Sequence, residues 1–202
     1  MNVARWTAWG LIAILLAACG GIGEGESGDT PALPQTVSAA SVLTGVITVS
    51  FPEGWVARAA RGEVSLANSQ TALDTAGDPQ PGQIAGTLMA FPLPLLPSQL
   101  GIQPSATATQ VLQQFVRSLT SGVSEREARF AEAETFTVQE RPAAIAQGTI
   151  TQQGQTVNAY VATVDGGEGY VVLLLVAAGG STSEQLETAR SIAQSVIYEP
   201  PA

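Results

Sequence analysis

The chain has 202 residues, with 17 acidic side chains against eight basic ones that are all Arg, no Lys or His, and a formal charge of −9. Such a balance repels phosphate backbones, which excludes nucleic-acid binding, and leaves no basic patch to hold anionic headgroups. Without His or Lys a Ser-His-Asp triad, a Walker A loop, a Schiff-base lysine and imidazole-based metal sites are all missing a part, so carboxylate chemistry and oxygen-ligated Ca²⁺ are what remain.

At the start, Arg5 precedes an apolar run from Trp9 to Ala18 that ends on small residues. A charged start, a short apolar middle and small residues before a cut are the layout of an export signal. The run falls short of the roughly 20 apolar residues needed to span a bilayer. Leu16-Ala17-Ala18-Cys19 resembles the lipobox of bacterial lipoproteins. That resemblance implies cleavage before Cys19, lipidation of its sulfur, and a mature chain tethered to the outer face of a membrane. The chain's single Cys agrees with it, since one Cys cannot form an internal disulfide. An ordinary secretory signal with a chance Cys is the plainer alternative. Residues 20–41 are rich in Gly, Ser, Pro and acids and poor in apolar side chains, so 19–41 is expected to be a flexible tether and 42–199 one domain.

Leu43, Ile47, Val49 and Phe51 alternate with Thr44, Thr48 and Ser50, the period of a half-buried strand. Pro52-Glu53-Gly54 ends it, and two short strands, Trp55–Ala59 and Glu63–Ala67, flank the turn at Arg61-Gly62. Ser69–Pro81 reads as a loop with room for one helical turn, and Gln83–Phe91, apolar on both faces, as a central strand. Thr107 and Gln110 form a capping box for a helix whose Val111, Leu112, Phe115, Val116 and Leu119 share one face as far as Gly122. Strands are expected again at Phe130–Val138, Ala143–Thr151, Thr156–Val164 and Tyr170–Ala177. Gly154 serves one hairpin, and Asp165-Gly166-Gly167-Glu168-Gly169 the next. Val171–Val176 should be the most buried strand. Ser181-Thr182-Ser183-Glu184 then caps a helix with Leu186, Ala189, Ile192, Ala193 and Val196 on one side.

Strands, a helix, more strands and a final helix predict an α+β fold, an antiparallel β-sheet sandwich with one mid-chain helix and a C-terminal helix packed on the sheet. Phe51-Pro52-Glu53-Gly54-Trp55 after the opening strand resembles the entry motif of the PsbP-like, DcrB-like and Mog1-like superfamily. The likeness extends through Arg141-Pro142-Ala143-Ala144 to Ser195-Val196-Ile197-Tyr198, covering roughly residues 43 to 198. It implies the fold of small exported or lumenal modules that share no catalytic site, so no family site residue is carried over.

Phe91-Pro92-Leu93-Pro94-Leu95-Leu96-Pro97, continuing to Leu100 and Ile102, is too apolar for an ordinary surface loop. Phe91, Leu93, Leu95, Leu96, Leu100 and Ile102 are candidates for contact with a partner or apolar ligand; a loop folded over one end of the sheet is the favoured account. Glu132 and Glu134, near Glu125 and Glu127, could pair as two carboxylates, although a solvated edge with Arg126 and Arg129 is the simpler reading. Asp165 and Glu168 could touch Ca²⁺ but lack further acidic ligands, so a plain turn is favoured. Trp55 could stack on a ligand, but its place beside a turn favours core packing. Taken together these residues point to no enzyme, no metal and no cofactor. The expectation is a lipid-anchored extracytoplasmic accessory module that binds another envelope component. A carrier of an apolar small molecule or lipid, held between sheet and helix, is the alternative, and a carboxylate-dependent hydrolase a remote one.

Overall fold

The computed structural model describes residues 33–74, 80–96, 100–121, 126–152, 155–180 and 183–201. Leu16, Ala17, Ala18 and Cys19, the tether to residue 32, Pro97, Gly122, Glu125, Gly154 and Ser181-Thr182 lie outside them. The chain order is β1 (Gln35–Ser41), β2 (Gly45–Phe51), β3 (Val56–Ala60), β4 (Glu63–Ala67), α1 (Gln70–Asp74), β5 (Ile84–Pro92) and a 3-10 turn at Leu93–Leu95. Then follow α2 (Ala108–Thr120), β6 (Arg126–Phe130), β7 (Glu134–Val138), β8 (Arg141–Gln152), β9 (Gln155–Gly167), β10 (Tyr170–Ala178), α3 (Ser183–Gln194) and β11 (Ile197–Glu199).

An eight-stranded sheet runs β3-β4-β5-β10-β9-β8-β6, with β7 also paired to β8, and a three-stranded sheet runs β1-β2-β11. Within both sheets the strand pairs are antiparallel. The large sheet is covered on both faces, which is why β10 reads as an unbroken apolar run. Val172, Leu174 and Val176 join Ile47, Val49 and Phe51 of the small sheet and Ala189 and Ile192 of α3 in the main core. Leu173 and Leu175 point the other way, to Leu112, Phe115 and Leu119 of α2. Each fully buried Leu stabilises the fold by about 1.5–3 kcal/mol. Ser195, just past α3, fixes that helix to β2: its Oγ accepts from Ser50 N at 3.0 Å and lies 3.2 Å from Ser50 O.

The expected α+β sandwich is therefore the observed fold, with the mid-chain helix forming a third layer. The Thr107–Gln110 capping box is present in both directions, at 3.3 and 2.9 Å. Three details differ. Gln35–Ser41, inside the stretch expected to be tether, is a strand along β2, so the folded unit begins before residue 42. Its alternation is masked by Ser and Thr on an edge strand whose outer face meets water. Leu43 leaves the opening strand for the β1–β2 turn, because Gly45 at φ 75° closes the hairpin there. Finally, Phe130–Val138 is two strands, broken at residues 131–133, each pairing a different part of β8.

Candidate functional site

The apolar loop after β5 folds down. Leu93, Leu96 and Ile102 are buried against Val111 of α2 and Val171 of β10, with Phe91 and Leu100 packed partly alongside. Three of the six contact candidates are thus core residues, and Pro92 and Pro94 keep the segment irregular where it crosses the sheet end. Leu95 alone of the six is largely exposed, at 66%.

The carboxylates do not converge. Glu134 pairs with Arg190 of α3 and Glu127 with Arg129, while Glu132 is exposed in the link between β6 and β7. Asp165 accepts from Gly167 N at 2.8 Å, a turn-stabilising bond, and Glu168 occupies the hairpin tip at φ 52°. Among the described residues no group of three or more potential metal ligands gathers. Trp55 is partly buried against the main core.

A different grouping emerges at one end of the molecule. The Tyr198 hydroxyl donates to Thr44 O at 2.8 Å, and its ring lies over Gly166, where an added Cβ would come within 2.8 Å. Burial, reinforced by Tyr170, pushes this phenol well above its ordinary range, so it stays a protonated donor. Arg141 donates to Gly166 O at 2.6 Å, Leu93 N to Gly169 O at 2.6 Å, and a Cβ on Gly62 would meet Ser41 at 2.6 Å. The β1–β2, β3–β4, β7–β8 and β9–β10 turns and the Leu93 loop therefore share one end. It carries Val42 and Leu43, 94% and 78% exposed, and Leu95. Exposed Glu140, Glu168 and Glu199 and the exposed Arg61 ring it. The chain enters the fold at the opposite end, since Gln35 pairs with Phe51 and Ser41 with Gly45.

On the α2 face of the large sheet an apolar cleft of about 90 Å³ lies between α1 and α2. Ala85, Thr87, Ala159 and Ala177 form much of its floor, and Leu73, Phe115, Leu119 and Ile150 its walls. Glu63 and Ser65 stand at the β4 edge, the Ser65 hydroxyl donating to Glu63 Oε1 at 3.3 Å. Sequence reasoning allows an apolar site between sheet and helix and names Leu95 as a contact candidate, but it places neither Val42 and Leu43 at the tip nor the residues of the cleft. Leu43 reads as the first apolar position of a strand, and the cleft residues come from five strands that only the topology brings together.

No family model matches the sequence, and no curated protein does either. Among solved structures the chain is similar to cyanobacterial PsbP (CyanoP) from Synechocystis sp. PCC 6803, at TM-score 0.54 and 15% identity over 92% of this chain and 99% of that one. It is also similar to LpqN, involved in cell envelope biogenesis of Mycobacterium tuberculosis, at TM-score 0.51 and 14% identity over 82% and 91% of the two chains. At these identities the likeness concerns the fold, which is PsbP-like.

Proposed function

We propose that the protein is a lipid-anchored extracytoplasmic module, non-enzymatic, that docks on another envelope component through the end bearing Val42, Leu43 and Leu95. The observation that carries this reading is the opposition of the two ends. The lipobox-like Leu16–Cys19 and the stretch after it lead into β1 at Gln35, about 23 Å along the strand from Val42. An anchor at Cys19 joins the fold at its entry end, so the apolar tip is the end farther from the point of attachment. Fully exposed neighbouring apolar side chains are rare on a free surface and common where a partner is met. The acidic ring around them suits a partner whose own rim is basic. The fold's likeness to LpqN, itself involved in cell envelope biogenesis, is consistent with such a role.

A photo-reactive residue at Leu43 or Leu95, introduced into the full chain in its host membrane, tests the docking end. The expected result is one discrete adduct from both positions and none from Thr36, which is exposed near the entry end. Equal labelling from Thr36, or no adduct anywhere, contradicts it.

A further inference from the structure

We infer that the cleft between α1 and α2 binds the end of a single alkyl chain that carries a hydrogen-bond-donating head, an amine or a hydroxyl. This site lies on the α2 face of the large sheet and does not depend on how the chain is anchored.

The argument begins with the residues at alternate positions of the strands. On this face β10 presents Leu173, Leu175 and Ala177, β9 presents Ala159 and Val161, and β5 presents Ala85 and Thr87. Where α2 lies over the sheet, Leu112, Phe115 and Leu119 cover Ala144, Ala146, Val161, Leu173 and Leu175. Over the β4–β5 edge, α1 covers Ala67 and Ala85 with Ala72 and Leu73. The strip between the two helices opens to solvent, yet it keeps an apolar composition instead of the alternating polar residues of a wetted sheet face.

Its shape follows from side-chain size. Ala85, Ala159 and Ala177 make a shallow floor, and Leu73, Phe115, Leu119 and Ile150 rise at the sides. The cleft's 90 Å³ is well below the roughly 150 Å³ apolar cavity that accepts benzene. A flexible chain end fits such a slot and an aromatic ring does not.

The polar edge sets the head group. Glu63 already accepts one bond from Ser65. A carboxylate has further lone pairs for a donor, whereas a second carboxylate brought beside it would be repelled. Thr87, across β4–β5 from Ser65, adds a hydroxyl at the same edge.

The test titrates the purified full chain with octylamine, octan-1-ol and octanoate below their aggregation concentrations, following backbone amide shifts. Octylamine and octanol should move the signals of Ala85, Ala159 and Ala177, octanoate binding at least about tenfold more weakly. Ala177→Leu, at a half-exposed floor position, should weaken octylamine at least about tenfold by filling the slot. Ser65→Leu, at the β4 edge of the cleft, repeats that test should the first variant fold poorly. Glu63→Gln should bring octanoate to within about twofold of octylamine. Shifts confined to other residues, unaltered octylamine binding in both leucine variants, or octanoate binding as well as octylamine to the wild type each overturn the assignment.

Discussion

Two tyrosines show how little of a buried residue's contribution is visible in its identity. Tyr198 spends its hydroxyl on Thr44 O, whereas the buried Tyr160 hydroxyl has no hydrogen-bond partner among the described residues. Removing one partner of a made bond costs about 1 kcal/mol, but removing an orphaned buried hydroxyl costs nothing and relieves a desolvation penalty. Tyr198→Phe should therefore lower the thermal midpoint by about 2–4 °C, and Tyr160→Phe should leave it unchanged or raise it. Differential scanning calorimetry of the two variants checks the contrast. At Thr107 the loss of the Oγ1 bond from Gln110 N in Thr107→Ala should cost about 1 kcal/mol, read as a lower urea midpoint with an unchanged slope. This cap was legible in the sequence because its spacing is local. The orphaned hydroxyl was not, since only the packed core decides which buried groups find partners.

Among the elements, the loop after β5 gives the sharpest test. Leu96 is 7% exposed and Leu95 66%, though the two are neighbours in an equally apolar stretch. Leu96→Ala should destabilise by about 2–4 kcal/mol through the cavity it leaves, and Leu95→Ala by less than about 0.5 kcal/mol; chemical denaturation separates them. Burial of the loop was anticipated from the rarity of so much exposed apolar surface. Which leucine stays outside depended on the 3-10 turn at Leu93–Leu95. Elements with strong local signals, such as β10, β4 and α2, lie close to where periodicity puts them. Those that depend on distant pairing do not: β1 is a polar edge strand that exists because β2 offers it a ladder, and β11 pairs with β2 from the far end of the chain. The apolar tip and the cleft were hidden for the same reason, being products of strand order and not of any contiguous segment.

At the scale of the whole molecule, the absence of His removes the side chain that ordinarily titrates near neutrality. The phenols of Tyr160 and Tyr198 are both raised by burial. A raised phenol is stabilising below its unfolded value of about 10, and that contribution is lost as pH climbs toward the folded value. Asp74, lowered by bonds from Gln70 and Arg58, acts in the opposite sense, its small contribution fading as pH falls below about 4. The thermal midpoint should accordingly be flat between about pH 6 and 9 and fall above about 10, less steeply in Tyr198→Phe. The acidic surface and lack of a basic patch also leave the acyl chains proposed at Cys19 as the membrane contact. The decisive measurement is the intact mass of the protein isolated from host membranes, compared with Cys19→Ser. The account predicts a wild-type chain beginning at Cys19 with added diacylglyceryl mass, and a Cys19→Ser chain that is unprocessed or released from the membrane. An unmodified Cys19, or a Cys19→Ser protein still processed at that site and membrane-bound, would contradict it.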